Sequence, residues 1–108
     1  MMYYDFEVGN KSYKLRLNTR NVVALEKQLG CNPVAIFGSG DTIPTISTMV
    51  HILHNSLQPY NHGITLDDAY NIFDEYLANN SMTDFIPVIL EIYKVSGIIR
   101  TEGAEEKN

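Results

Sequence analysis

Three histidines are the residues best suited by type to carry chemistry. His51 and His54 stand three residues apart in a helical pattern, where two imidazoles can share one metal ion, and His62 in the following loop is a conceivable third ligand. A helical zinc site more often pairs histidines four apart with a glutamate between them, whereas Ile52, Leu53 and Asn55 surround this pair. The pattern reads as solvated histidines, and neither a metal nor another cofactor is expected. A small metal-dependent hydrolase using His51, His54 and an acid is the enzymatic alternative.

Asp67, Asp68, Asp74 and Glu75 project from the polar side of one helical segment. Catalytic carboxylate pairs flank a substrate across a cleft, in environments that push their pKa values apart. Four acids on one wet face share an environment, so they read as a solvated face or as a docking rim for a basic partner. Ser39 in Gly38-Ser39-Gly40 lacks the five-residue frame of a nucleophile elbow, and no Gly-Lys-Ser/Thr completes a phosphate loop. Cys31 follows a helix C-terminus, where the dipole disfavours the thiolate a nucleophile needs, and reads as a small packing residue. The seven tyrosines fall at apolar positions, which predicts rings in the core with hydroxyls reaching the surface. Catalysis is not expected.

The elements that position these residues follow from periodicity. The chain has 108 residues, 44% of them apolar and 19% charged, enough for one hydrophobic core. Its formal charge of -5 is the wrong sign for sheathing nucleic acid. Met1 opens a polar and aromatic stretch without the basic and apolar regions of a signal peptide, and no window is apolar enough to span a membrane. A cytoplasmic protein with no nucleic-acid or membrane partner is expected.

Tyr4, Phe6 and Val8, then Tyr13, Leu15 and Leu17, alternate around Gly9-Asn10, which predicts a β-hairpin over 3–17. Asp5, Glu7, Lys14 and Arg16 lie on its other face, where opposite charges can pair across the strands. Helical patterns with capping residues follow over 19–29, 45–58, 65–78 and 83–96, with a short turn over 33–37. The second long helix has a stripe of Ile46, Met49, Val50, Leu53 and Leu57; the third has Leu66, Ala69, Tyr70, Phe73, Tyr76 and Leu77. Gly38 to Asp41 reads as a flexible linker, and 100–108 as a disordered acidic tail. The expected fold is α+β and mostly α: one domain over 1–99, an N-terminal hairpin packed on a bundle of about four helices plus one short helical turn.

This pattern leaves apolar residues over. Ile52 falls off its stripe, the last helix is apolar around more than half its circumference, and Ile98-Ile99 follow it. Such a surplus implies a protein-binding or self-association face, or else a central helix with Ile98 and Ile99 folded back.

Tyr4-Asp5-Phe6-Glu7-Val8, Tyr13-Lys14-Leu15-Arg16-Leu17, Val22-Val23-Ala24-Leu25-Glu26-Lys27, His62-Gly63-Ile64-Thr65-Leu66-Asp67-Asp68-Ala69-Tyr70 and Phe85-Ile86-Pro87-Val88-Ile89-Leu90-Glu91 together set a recognisable order. Over roughly 4–99 the chain resembles the tail assembly chaperones of long-tailed, siphovirus-type phages and prophages of Gram-positive bacteria. The resemblance implies a non-enzymatic helper that binds and solubilises the tape-measure protein and assists polymerisation of the major tail-tube protein around it. It implies action in the host bacterial cytoplasm and absence from the mature virion. Many members also have a longer form made by programmed frameshifting, of which the acidic tail here would be the ordinary short alternative. The family supplies no motif residues to carry over, so the expected contacts come from surface pattern alone. They are Ile52, Ile98 and Ile99 as apolar contacts, with Asp67, Asp68, Asp74 and Glu75 as an acidic rim. A structural phage component, such as a head-tail connector or tail-completion subunit, is the alternative, and a homo-oligomer is compatible with either.

Overall fold

The computed structural model describes residues 2–37 and 43–100. Strands β1 (Tyr4–Val8) and β2 (Lys11–Leu15) pair antiparallel, with Phe6 opposite Tyr13 and Val8 opposite Lys11. Gly9 takes the first turn position at φ +61°, and a Cβ there would lie 3.0 Å from a carboxylate oxygen of Glu75. Both the left-handed backbone and the close carboxylate favour glycine. The period of two puts Phe6, Val8, Leu15 and Leu17 into the core.

The solvent face of the hairpin differs from expectation. Asp5 does stand opposite Lys14, yet Lys14 Nζ lies over the rings of Tyr3 and Tyr60, 5.0 and 6.0 Å from their centroids. Arg16 Nη1 donates to the carbonyls of Met2 (2.9 Å) and Val95 (2.6 Å). An exposed ion pair gains little in water, whereas an aromatic face and a helix-end carbonyl are fixed, partly dehydrated partners.

Helix starts follow local capping chemistry. Asn18 opens α1 (Thr19–Leu29) by reciprocal bonds with Asn21, and Gly30 closes it at φ +74°. Asn32 Oδ1 accepts from the Val34 N–H at 2.9 Å and starts a 3-10 turn, Pro33–Phe37. Thr45 caps α2 (Ile46–Leu57); Thr65 and Asp68 cap α3 (Leu66–Leu77) with two 3.0 Å bonds. The last helical segment is divided. Ser81 caps a 3-10 turn, Met82–Asp84, which runs directly into α4 (Phe85–Val95), with Pro87 in the first turn where its missing N–H costs nothing. The fold is thus the α+β, mostly α arrangement of a two-stranded hairpin and four helices. The Gly38–Asp41 linker and the tail from Thr101 fall outside the described residues.

The core centres on α2. Met49, Val50, Ile52, Leu53, Asn55, Ser56 and Leu57 are all buried, an arc of roughly 220° at 100° per residue. Packing on α1, α3, α4 and β2 explains the width of that arc, and it overturns the surface role expected for Ile52, which is 0% exposed. Ile46, at the open end of the helix, is exposed instead. In α3, Ile72 replaces Tyr70 on the buried face. Around α4 the buried side is narrower than its composition suggests, with Ile86 and Leu90 half-buried at its margin. Phe6, Phe73, Tyr76 and Phe85 join hairpin to α3 and α4 in one aromatic cluster, with ring centroids 5.1 to 5.9 Å apart.

Polar groups tie these layers together. The Arg16 N–H donates to the Ser56 carbonyl at 2.9 Å, and the Leu17 N–H to Ser96 Oγ at 2.8 Å. Buried Asn55 donates through Nδ2 to Gln28 Oε1 and to the His51 carbonyl, each at 2.8 Å. The Tyr93 hydroxyl does not reach the surface. It is buried and donates to the Pro33 carbonyl at 3.0 Å.

Burial above all, and then the Cys31 charge, raise Tyr93 well above the usual tyrosine pKa. The folded state therefore holds its proton where the unfolded chain has lost it, so this stability is complete below pH about 10 and is lost as pH rises. Urea midpoints should fall above that pH. Tyr93→Phe should flatten the fall and cost about 1 kcal/mol at pH 8, by leaving the Pro33 carbonyl unpaired.

Candidate protein-binding surface

The chemistry-bearing side chains do not converge. His51 Nδ1 donates to the Ser47 carbonyl at 2.8 Å, and His54 Nε2 to the Ile64 carbonyl at 3.0 Å, since carbonyls can only accept. His54 Nδ1 is enclosed and without a partner among the described residues. His62 is exposed in the loop beyond. Among the described residues no three His, Cys, Asp or Glu side chains stand together as metal ligands would. Cys31 is exposed rather than packed, and Ser39 is outside the described residues.

The expected binding residues separate into different roles. Ile52 is core, and Ile98 and Ile99 are folded back half-buried against the core, the Ile98 N–H bonding to the Tyr93 carbonyl at 2.9 Å. None of the three forms a free apolar surface. Asp67, Asp68, Asp74 and Glu75 are exposed. Asp68 is committed to its cap, and hydrogen bonds from Thr65 hold its carboxyl below the ordinary carboxylate pKa. Glu75 reaches the hairpin turn at Gly9, leaving Asp67 and Asp74 as the unengaged acids of the expected rim.

The structure instead presents a cleft of about 320 Å³ along β1, lined by Tyr4, Asp5, Phe6 and Glu7 on one side and by Tyr76, Asn80 and Val88 on the other. In an antiparallel pair closed by a two-residue turn, the closing residues bond to each other, and every second residue turns its N–H and C=O outward. Val8 opposite Lys11 is the closing pair, so Phe6 and Tyr4 bond inward while Asp5 and Glu7 face away from β2. Arg16 checks this parity. Of the same outward class on the β2 side, its N–H indeed leaves the hairpin for the Ser56 carbonyl. No described backbone group covers Asp5 or Glu7 in this way.

The cleft is acidic. Among the described residues Asp5 and Glu7 have no cation within ion-pair distance, whereas Glu91 pairs with Lys94 at 3.1 Å. Burial, then the charges of Glu91 and Glu7, raise the Tyr4 hydroxyl pKa; burial, then the charge of Asp84, does so for Tyr76. A second groove, of about 400 Å³ on α1, is lined by Thr19, Arg20, Val23, Ala24 and Lys27 and carries the opposite charge. Sequence reading passed over the β1 edge, although a two-stranded sheet with a two-residue turn always leaves alternate backbone groups unpaired. No helix among the described residues is long and apolar enough to cross a membrane.

Ile52→Asp should unfold the protein or cost more than about 4 kcal/mol, whereas Asp74→Ala should change stability by no more than about 0.5 kcal/mol, both read by urea denaturation. Added zinc should leave the melting temperature unchanged in calorimetry, because His54 Nδ1 is enclosed and no three ligand-type side chains stand together among the described residues. Comparison with protein-family models, with curated proteins and with solved structures finds no match to this chain.

Proposed function

We propose that this chain is a tail assembly chaperone that works by non-catalytic protein contacts: it binds and solubilises a tape-measure protein in the host bacterial cytoplasm and assists tail-tube polymerisation. The observation that carries the protein-holding part is the open β1 edge beside an acidic cleft, a surface suited to polypeptide. The phage-tail part rests on the resemblance of the hairpin, α1, α3 and α4 segments quoted above to that family.

A holdase must release its client to the tube subunits, so its contacts have to be replaceable. A short strand edge and a rim of acids supply such contacts, because exposed charges add little affinity and are screened by salt. Catalytic groups have no part in this role.

Co-expression with the tape-measure and tail-tube proteins of the same genome tests the proposal. Soluble tape-measure protein should be recovered only when this chain is present, and this chain should be missing from purified particles. Failure to associate with either protein would overturn the reading. Presence at fixed stoichiometry in particles would replace it with a connector or tail-completion subunit.

A further inference from the structure

The geometry points to β1 as the docking edge for an extended, basic polypeptide segment that adds as a third strand beside Asp5 and Glu7, with lysine or arginine at alternate positions and an apolar residue between them. This inference rests on the protein-holding reading above and names the chemistry of what is held.

Two observations fix the occupant. The first is main-chain parity. Asp5 and Glu7 each turn an N–H and a C=O into the cleft, about 6.8 Å apart along the strand, the repeat at which an added strand offers its own outward groups. The second is charge. Directly opposed residues in neighbouring strands share a face, so the residues set against Asp5 and Glu7 lie beside two carboxylates with no cation in ion-pair contact among the described residues. Lys14, the cross-strand neighbour of Asp5, is occupied over Tyr3 and Tyr60. The residue between the two basic ones falls opposite Phe6 and on the core side, where Tyr76 and Val88 line the wall.

The same charges disfavour a second copy of this chain. Pairing two β1 strands antiparallel through residues 5 and 7 sets acid against acid. An acidic client segment meets the same repulsion.

The test uses the intact protein and a labelled peptide of alternating lysine and valine, with binding read by fluorescence anisotropy. Controls are a glutamate–valine peptide of the same length and a lysine–valine peptide N-methylated at alternate residues to remove its main-chain donors. The expected result is micromolar to sub-millimolar binding of the first peptide, weakened at least tenfold by either control. Asp5→Asn with Glu7→Gln, exchanged at exposed positions, should weaken it roughly fivefold, and the amides of Asp5 and Glu7 should gain hydrogen-exchange protection on binding. Equal binding of the N-methylated peptide, or no binding of the lysine–valine peptide, overturns the inference and leaves the acids as guards against edge pairing. Protection of those amides on concentrating the protein alone also overturns it, in favour of self-association. Because no tape-measure protein enters this assay, loss of the chaperone role and loss of the docking edge are read separately.

Discussion

The hairpin depends on one junction. Two strands cannot hold themselves in water, and here both are anchored where β2 leaves for α1. At Arg16 and Leu17 the backbone N–H of the first meets the carbonyl of Ser56 at the end of α2, its guanidinium meets the carbonyl of Val95, and the N–H of Leu17 meets Ser96 Oγ. Helix C-termini carry carbonyls with no intrahelical donor and a partial negative charge, so a cation with several donors satisfies both needs. The orientation of the free β1 edge is set by this attachment together with the packing of Phe6 on Tyr76 and Phe85.

The second constraint is the enclosure of α2. Because four elements pack around it, the helix absorbs apolar side chains that a one-sided helix would leave exposed. What stays outside, such as Val23, Val34, Ile43, Ile46, Tyr60 and Tyr70, is spread over α1, the turn after it, the entrance to α2, the following loop and α3. Scattered apolar residues of that kind are ordinary on a soluble surface. The surface we propose as specific is the β1 edge, where outward backbone groups and carboxylates without an ion-pair partner among the described residues coincide.

Much of the fold was legible in the sequence because its signals are local. Asn18, Thr45, Thr65 and Ser81 cap helical segments through bonds reaching only three residues along the chain, and Gly9-Asn10 dictates its own turn. The errors share the opposite property. A helical stripe identifies the core only when one face is buried, so Ile52 reads as superfluous on a helix enclosed on several sides, and Tyr70 reads as core although it is exposed and Ile72 is buried. Lys14 and Arg16 looked like partners for Asp5 and Glu7, since nothing nearby in sequence announces Tyr60 or Val95. The β1 edge escaped notice for a different reason: it is made of backbone, and residue types say nothing about unpaired N–H and C=O groups.

The junction at Arg16 and Leu17 closes contacts across 79 residues, and the ring of Phe6 packs on those of Tyr76 and Phe85. Chains are synthesised from the N-terminus at about 5–20 residues per second, so on the order of 4–16 s separates the emergence of the strands from that of their partners. During that interval Phe6 has no native surface to cover it, and closing so long a loop is slow even once the partners are available. The hairpin thus waits for partners that are made well after it.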